Sequence, residues 1–395
     1  MRTIIFLLLT IPGFGQNLPS LLLNKDINAT FSITAYDPAA AEWGIAVATN
    51  NIYVGNSTIY IEPGVGAFSV IAETEPAYGV NGLAQLKKMP LKEAIEYTSA
   101  HDEDAGLRQV AGIDKEGNTY AYVGKELKYW KGIAGAKSGK NYVVIGNQLA
   151  AGVLDSMGVV FERTKGTLAE RLLAAIVAGQ QAGGMITGKQ SAALMVKGTH
   201  NEWYNQIDIR VDHSLTPFED LSRLLSFHYG RIRLNQAIFQ LKKDNREKGI
   251  ALLEQATTML EGWKGMRAKI AMANILAGRE AQAAKILEGV NKEYIPAFYC
   301  LKNYIDIDTA QFDSKDWNSA VEMLIQLKRN KEAVRVANDV VIQYPADSYS
   351  WYMLGKAYKD DGKIKEGNKC FERAVNLDKD NVEALAALNN QQAGE

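Results

Sequence analysis

The sequence predicts an α+β chain: an αββα sandwich over residues 30–229, then an all-α helical solenoid over residues 230–395. Three observations carry that prediction. Strand-length runs bounded by Gly, Pro, Asn and Asp turns recur through the first half and are interrupted twice by paired helices. The second half repeats with a spacing of 34, since 351−317 = 34 and 283−249 = 34. A chain of 395 residues also exceeds the usual size of one core, so two domains are expected.

The elements follow in order. Thr30 to Asp37 alternates in character and meets Pro38, which reads as a strand ending in an Asp-Pro turn shaped by Asp37. Gly44 to Ala48 is an apolar partner strand closing a hairpin. Thr58–Ile61 and Val65–Ala72 form a second hairpin about Glu62-Pro63-Gly64. Gly79–Lys87 and Leu91–Ser99 read as helices, the latter behind Pro90. Gln109–Ile113 and Thr119–Val123 flank the turn cluster 114–118. Tyr142–Ile145 reads as a strand ending at Gly146-Asn147. Helices over 149–161 and 168–180 follow, the second with a polar Glu170/Arg171 edge and a stop at Gly183-Gly184. Ser191–Val196 and Ile207–Val211 are strands, and Pro217 to Tyr229 starts a helix leading out. Antiparallel hairpins alternating with helix pairs imply two packed sheets with helices on both outer faces.

Lys+Arg 44 against Asp+Glu 45 gives a formal net charge of -1, which lacks the basic excess that nucleic-acid or anionic-membrane binding requires. Arg2, the apolar run Ile4–Leu9 and the exit Pro12-Gly13-Phe14-Gly15 read as a signal peptide over 1–15. A cut after Ala29 ranks second, because that site is far from the apolar run and has Ile27 three residues before the cut. No segment reaches the ~20 apolar residues of a membrane span. A periplasmic or secreted protein is expected, with 16–29 as a leader or propeptide. Cys300 and Cys370 make no disulfide framework; two small buried side chains on helices are the expectation, a bridge the alternative. No metal-ligand cluster appears, and Gly79-x-x-Gly82 and Gly183-Gly184 fit neither a P-loop nor a GxGxxG pattern, so no cofactor is expected.

The runs Thr30–Asp37, Glu75-Pro76-Ala77-Tyr78-Gly79-Val80-Asn81-Gly82-Leu83, Arg108-Gln109-Val110, Gly146-Asn147, Leu168 to Leu173, Gly188 to Ala193 and Arg210-Val211-Asp212 together resemble the bacterial domain-of-unknown-function family 1028. The resemblance spans nearly all of 30–228 and implies a fold similar to N-terminal-nucleophile (Ntn) hydrolases. It also implies that Thr30 occupies the position of a mature N-terminus. Many members begin with Met-Thr; this chain instead places a leader before Thr30, so a cut at Ala29–Thr30 is needed. Ntn precursors often make that cut themselves.

An N-terminal threonine is a self-contained nucleophile–base pair: its hydroxyl attacks while its α-amine, titrating near ~7.7–8.0, takes the proton. No histidine is needed. His101, His200 and His213 sit in turn-like settings, and His228 reads as a packing residue. Glu73 is a candidate to orient the amine or substrate, with a solvated loop carboxylate as the alternative. Tyr78, Arg108 and Gln109 are candidates to bind an amide or peptide-like substrate; for Arg108 and Gln109 an edge-strand ion pair is the alternative. Asn147 is either an oxyanion donor or a helix N-cap.

In the second half, Trp351-x-x-Leu354-Gly355-x-x-Tyr358 with Phe371 and Ala374 matches the tetratricopeptide (TPR) pattern. Trp317, Ala333, Val340 and Pro345 form the preceding unit. Weaker units align at Gly249/Leu253/Ala256 and Ala283/Leu287/Val290, with an insertion of about 16 residues around 294–312 breaking register. Such a solenoid binds a protein or peptide, or serves as support. The leading expectation is an exported Ntn-type hydrolase with Thr30 as nucleophile; the alternative is a non-enzymatic binding module on the same two domains.

Overall fold

The structure, a computed structural model, describes residues 29–392. The proposed signal peptide and the leader up to residue 28 lie outside the described residues. Two compact units divide at Leu225/Ser226, within one helix. The expected boundary at 229/230 lies in that same helix.

The N-terminal unit begins with β1 (Thr30–Asp37), which pairs antiparallel with β2 (Glu42–Thr49). β3 (Ile59–Glu62) and β4 (Gly66–Ala72) form the second hairpin, and helices α1 (Ala77–Leu86) and α2 (Leu91–Ser99) follow. Next come β5 (Arg108–Asp114), β6 (Thr119–Val123), β7 (Ile133–Gly139) and β8 (Tyr142–Leu149). Helices α3 (Val153–Arg163) and α4 (Leu168–Gln181), then strands β9 (Ser191–Gly198) and β10 (Ile207–Val211), complete the sandwich. One sheet has the order β10-β9-β2-β1-β8-β7 and the other β3-β4-β5-β6. α3 and α4 cover the first sheet; α1 and α2 cover the second.

The period of two along β1 sets up this core. Phe31 points to the helices, its ring close to Gly179 of α4, while Ser32 faces the second sheet and shares a 2.7 Å hydrogen bond with Ser69. Trp43, Ile45 and Val47 of β2, Val143 and Ile145 of β8, and Ala111 and Ile113 of β5 fill the space between the sheets. α4 starts with a capping box between Thr167 and Glu170, so Glu170 caps the helix as well as standing on its exposed edge. Asp37 shapes its turn by accepting from Ala39 N at 3.0 Å.

Three readings need correction. The strand at Tyr142 does not end at Gly146-Asn147 but runs to Leu149, and Asn147 is therefore no helix cap. Glycine at 146 permits this: a Cβ there would lie 2.9 Å from the Phe31 Cβ, so a side chain would push β1 away. β7 was not anticipated, because its largely exposed Ile-Ala-Gly-Ala-Lys-Ser-Gly run has no alternation; pairing with β8 alone makes it a strand. Arg108 starts an interior strand, since β5 pairs with both β4 and β6, so an edge-strand role is ruled out.

In the C-terminal unit, helix α5 (Pro217–Lys242), which begins in the first unit, is followed by α6 (Arg246–Met259), α7 (Arg267–Leu276) and α8 (Glu280–Leu287). Short 3₁₀ turns then occupy the expected insertion, at 292–294, 296–301 and 309–311. α9 (Ser314–Gln326), α10 (Asn330–Gln343), α11 (Ser348–Asp360), α12 (Ile364–Leu377) and α13 (Val382–Gln392) restore the repeat. The motif residues do packing work: Leu354, Phe371 and Ala374 are buried, and Trp351 Nε1 donates to Pro345 O at 2.9 Å. Gly249, Leu253 and Ala256 face inward on α6, as Ala283 and Leu287 do on α8. Cys300 and Cys370 are free and buried, and burial pushes both thiols up to about 11.

Candidate functional site

Thr30 opens the central strand of the larger sheet. Its register partners are Thr49 on β2 and Asn147 on β8, and Thr49 in turn faces Ser191 on β9. Directly opposed residues share a face, so Ser191, Thr49, Thr30 and Asn147 make one polar row at one end of the sheet, pointing between the sheets. All four are buried, Thr30 with 6% of its surface exposed. Buried polar groups need hydrogen-bond partners, and these have them: Thr30 bonds to Thr49 and Asn147, and Ser191 donates to Asn51 O.

The Thr30 backbone N–H donates to Asn147 Oδ1 at 3.2 Å. Asn147 Nδ2 donates to Gln109 Oε1 at 3.2 Å, and Gln109 Nε2 donates to the carbonyls of Gly135 and Gly146, both at 2.9 Å. Gln109, on β5, thereby ties the smaller sheet to β7 and β8. On the other side the Thr30 and Thr49 hydroxyl oxygens are 2.9 Å apart, and the Thr49 hydroxyl donates to Ala29 O at 2.9 Å. Thr49 has one proton and spends it on Ala29, so the Thr30 hydroxyl is the donor between the two. The Ala29 carbonyl also accepts the Asn50 backbone N–H at 3.0 Å. The carbonyl of the Ala29–Thr30 peptide group thus faces two donors beside a hydroxyl.

The loop carrying the second donor is pinned on several sides. Asn50 Nδ2 donates to Thr187 O at 2.9 Å, Gln190 Nε2 to Asn50 O at 3.2 Å, and Ser191 Oγ to Asn51 O at 2.9 Å. His213 Nδ1 lies 2.7 Å from Gln190 Oε1, so this histidine braces the loop. Gln148, next to Asn147, has φ 51°, a left-handed conformation uncommon outside glycine, and β7 carries a register shift between Ile133 and Gly135.

Tyr78, Arg108 and Glu73 form a separate cluster. Arg108 makes a forked pair with Asp102 (Nε to Oδ2 2.8 Å, Nη2 to Oδ1 3.2 Å), and its Nη1 donates to the Glu73 carbonyl at 2.9 Å. The Tyr78 hydroxyl donates to Asp102 Oδ2 at 3.1 Å. Burial, then the Asp102 charge and hydrogen bond, raise the Tyr78 hydroxyl well above its usual range, so it stays a donor. Burial alone would lift the Asp102 carboxyl; the Arg108 hydrogen bond and charge, the Asp104 N–H and the Tyr78 hydroxyl outweigh it and hold it below the usual carboxylate value. Glu73 enters this cluster through its backbone, just after Ala72 at φ 70°.

The candidates therefore divide. Thr30, Asn147 and Gln109 are joined in one network; Tyr78, Arg108 and the Glu73 backbone are joined in another. Adjacent positions 108 and 109 on β5 lead into one network each. Thr49, Asn50, Gln190 and Ser191 are the residues missed. Only the registers β1–β2 and β2–β9 bring them to Thr30, although Ser191 and Gln190 stood inside a run already singled out. Among the described residues no group of three His, Cys, Asp or Glu side chains is placed to hold a metal ion, and no helix is long and apolar enough to cross a membrane. A cavity of about 500 Å³ lined by Gly64, Leu86, Met89 and Asp114 lies at the far end of β4 and β5 from Gln109, away from this chemistry.

A threonine-led polar row on the central strand of an αββα sandwich, followed by stacked helix pairs, defines the class. Residues 30–221 match the family of unknown function DUF1028, and residues 348–381 match the tetratricopeptide repeat. Among solved structures, protein SPO2555 from Silicibacter pomeroyi, a DUF1028 protein, is 27% identical, with TM-score 0.46, covering 50% of this chain and 84% of its own. MamA from Desulfovibrio magneticus RS-1 is 19% identical (TM-score 0.22; 40% of this chain, 81% of its own). YrrB, a TPR protein with an unusual peptide-binding site, is 14% identical (TM-score 0.22; 39% and 89%). No curated protein matches the chain.

Proposed function

We propose that this chain is an exported Ntn-type hydrolase that cleaves an amide or related acyl bond with Thr30 as N-terminal nucleophile, and that its repeat unit binds a protein or peptide partner. The observation that carries the reading is the placement of Thr30: first residue of the central strand, hydroxyl and nitrogen each hydrogen-bonded in a buried polar row. Once the Ala29–Thr30 bond is cut, the freed α-amine takes the proton of the Thr30 hydroxyl as its oxygen attacks the substrate carbonyl. The carbon–nitrogen bond of the substrate then breaks and its amine leaves with that proton. Water, deprotonated by the same α-amine, hydrolyses the ester and restores the hydroxyl. Asn147 Oδ1, already an acceptor for the Thr30 nitrogen, orients the amine, and Gln109 orients Asn147. The repeat unit supports a partner-binding role because stacked repeats present an extended concave surface.

The alternative, a non-enzymatic binding module, is favoured by one fact: while Thr30 is joined to Ala29 its nitrogen is an amide and no base. Intact mass and terminal-peptide analysis of the mature protein decide between them. A start at Thr30, lost in Thr30→Ala, supports the hydrolase; a mature protein that keeps 16–29 refutes it.

A further inference from the structure

We infer that the Thr49 hydroxyl and the Asn50 backbone N–H form the oxyanion site of this centre, and that the site takes acyl donors with an alanine-sized residue at the carbonyl. The inference rests on the hydrolase reading above and specifies its substrate class. Both donors already converge on one carbonyl oxygen, that of Ala29, at 2.9 and 3.0 Å. The oxyanion of the first attack forms on this same oxygen, so both donors are in place before charge develops. The Thr30 hydroxyl is in the same network, 2.9 Å from Thr49 Oγ1.

The chemistry links the cut to later turnover. When the Thr30 oxygen attacks the Ala29 carbonyl, negative charge grows on the oxygen that Thr49 and Asn50 hold. The carbon–nitrogen bond breaks, the hydroxyl proton ends on the departing Thr30 nitrogen, and an ester joins the Ala29 acyl group to Thr30 Oγ1. Water hydrolyses it to the Ala29 carboxylate and the Thr30 hydroxyl. That ester has the same alanyl linkage to Thr30 Oγ1 as the acyl-enzyme formed from a substrate with an alanyl carbonyl, so one oxyanion site serves both reactions. Size selection follows from packing. Ala29 has 0% of its surface exposed, and the loop beside it is fixed by the bonds from Asn50, Gln190 and Ser191. A larger side chain must displace the packing that leaves Ala29 no exposed surface, whereas a methyl group fits without rearrangement.

The test uses the full chain. Processing is followed by intact mass for the wild type, Thr49→Val and Thr49→Ser. Turnover is measured on acetyl-Ile-Asn-Ala-aminomethylcoumarin, which copies the leader sequence, and on the same peptide ending in Leu or Phe. Thr49→Val keeps the shape but removes the donor, so processing and turnover should each fall about 10²-fold, as loss of one oxyanion donor does elsewhere. Thr49→Ser retains the hydroxyl and should recover to within about tenfold of wild type. The alanyl peptide should exceed the phenylalanyl one in kcat/KM by about tenfold or more. Thr49→Val processing at the wild-type rate, or equal turnover of the phenylalanyl peptide, overturns this inference while leaving the hydrolase intact. A wild type that neither processes nor cleaves any of the three peptides overturns the hydrolase reading, and this inference with it.

Discussion

Replacing Gln109 by methionine tests whether the polar row is held from across the sandwich. The substitution keeps length and approximate volume, so little cavity is created. What it removes is specific: the Gly135 and Gly146 carbonyls each lose a donor at 2.9 Å, and Asn147 Nδ2 loses its acceptor at 3.2 Å. Gln109 and Asn147 have 0% exposure, so water does not replace these bonds. A buried polar group left unpaired costs roughly 1–3 kcal/mol. The two carbonyls lie within strand ladders and take the low end of that range, as does the amide, which gives a loss of about 3 kcal/mol. For a unit of this size that lowers the unfolding midpoint by roughly 6–12 °C. Scanning calorimetry of the full chain reads the shift. A midpoint within about 2 °C of wild type would mean that Gln109 is not what joins the sheets at Thr30.

Three further expectations concern other parts of the molecule. Asp102→Asn breaks the forked pair and leaves the largely buried Arg108 charge only the exposed Asp104 carboxylate, 3.6 Å away, so stability at pH 7 should fall by roughly 1–3 kcal/mol in denaturant titrations. The Asp102 carboxyl sits below its ordinary value when folded, so its contribution is complete above about pH 4 and drains as pH falls through that lower value. The gap between wild type and Asp102→Asn should therefore narrow in acid; a constant gap down to about pH 2 would contradict the ion-pair account. Gly355→Val should destabilise the C-terminal unit by at least ~1–3 kcal/mol, because a Cβ at 355 lies 2.6 Å from the Phe371 ring and 2.9 Å from the Gly367 carbonyl. Unchanged urea unfolding of that unit would refute the close approach of α11 and α12. Cys300 and Cys370, with thiols pushed up to about 11, should resist an aromatic disulfide reagent in the native chain at pH 8 and react after denaturation. Rapid native labelling of either one would show that it is not buried.

Local signals in the sequence determined most of the elements. Alternation from Thr30 to Asp37, turn clusters at 62–64 and 114–118, and the 34-residue spacing of Trp317 and Trp351 each act over a few residues or one repeat. Backbone geometry and hydrophobic burial therefore make them readable in one dimension. The same local signals placed Thr30 at the start of a strand. What only the tertiary structure decided was company. Arg108 and Gln109 are neighbours in sequence, yet alternation sends one side chain to Asp102 and Tyr78 and the other to Asn147. Thr49, Asn50 and Ser191 carry no motif that points to Thr30; they reach it because β2 lies between β1 and β9 in the sheet. β7 exists as a strand only because β8 offers it an edge. Strand order and register arise from long-range packing and hydrogen bonding, and no single window of sequence contains both partners.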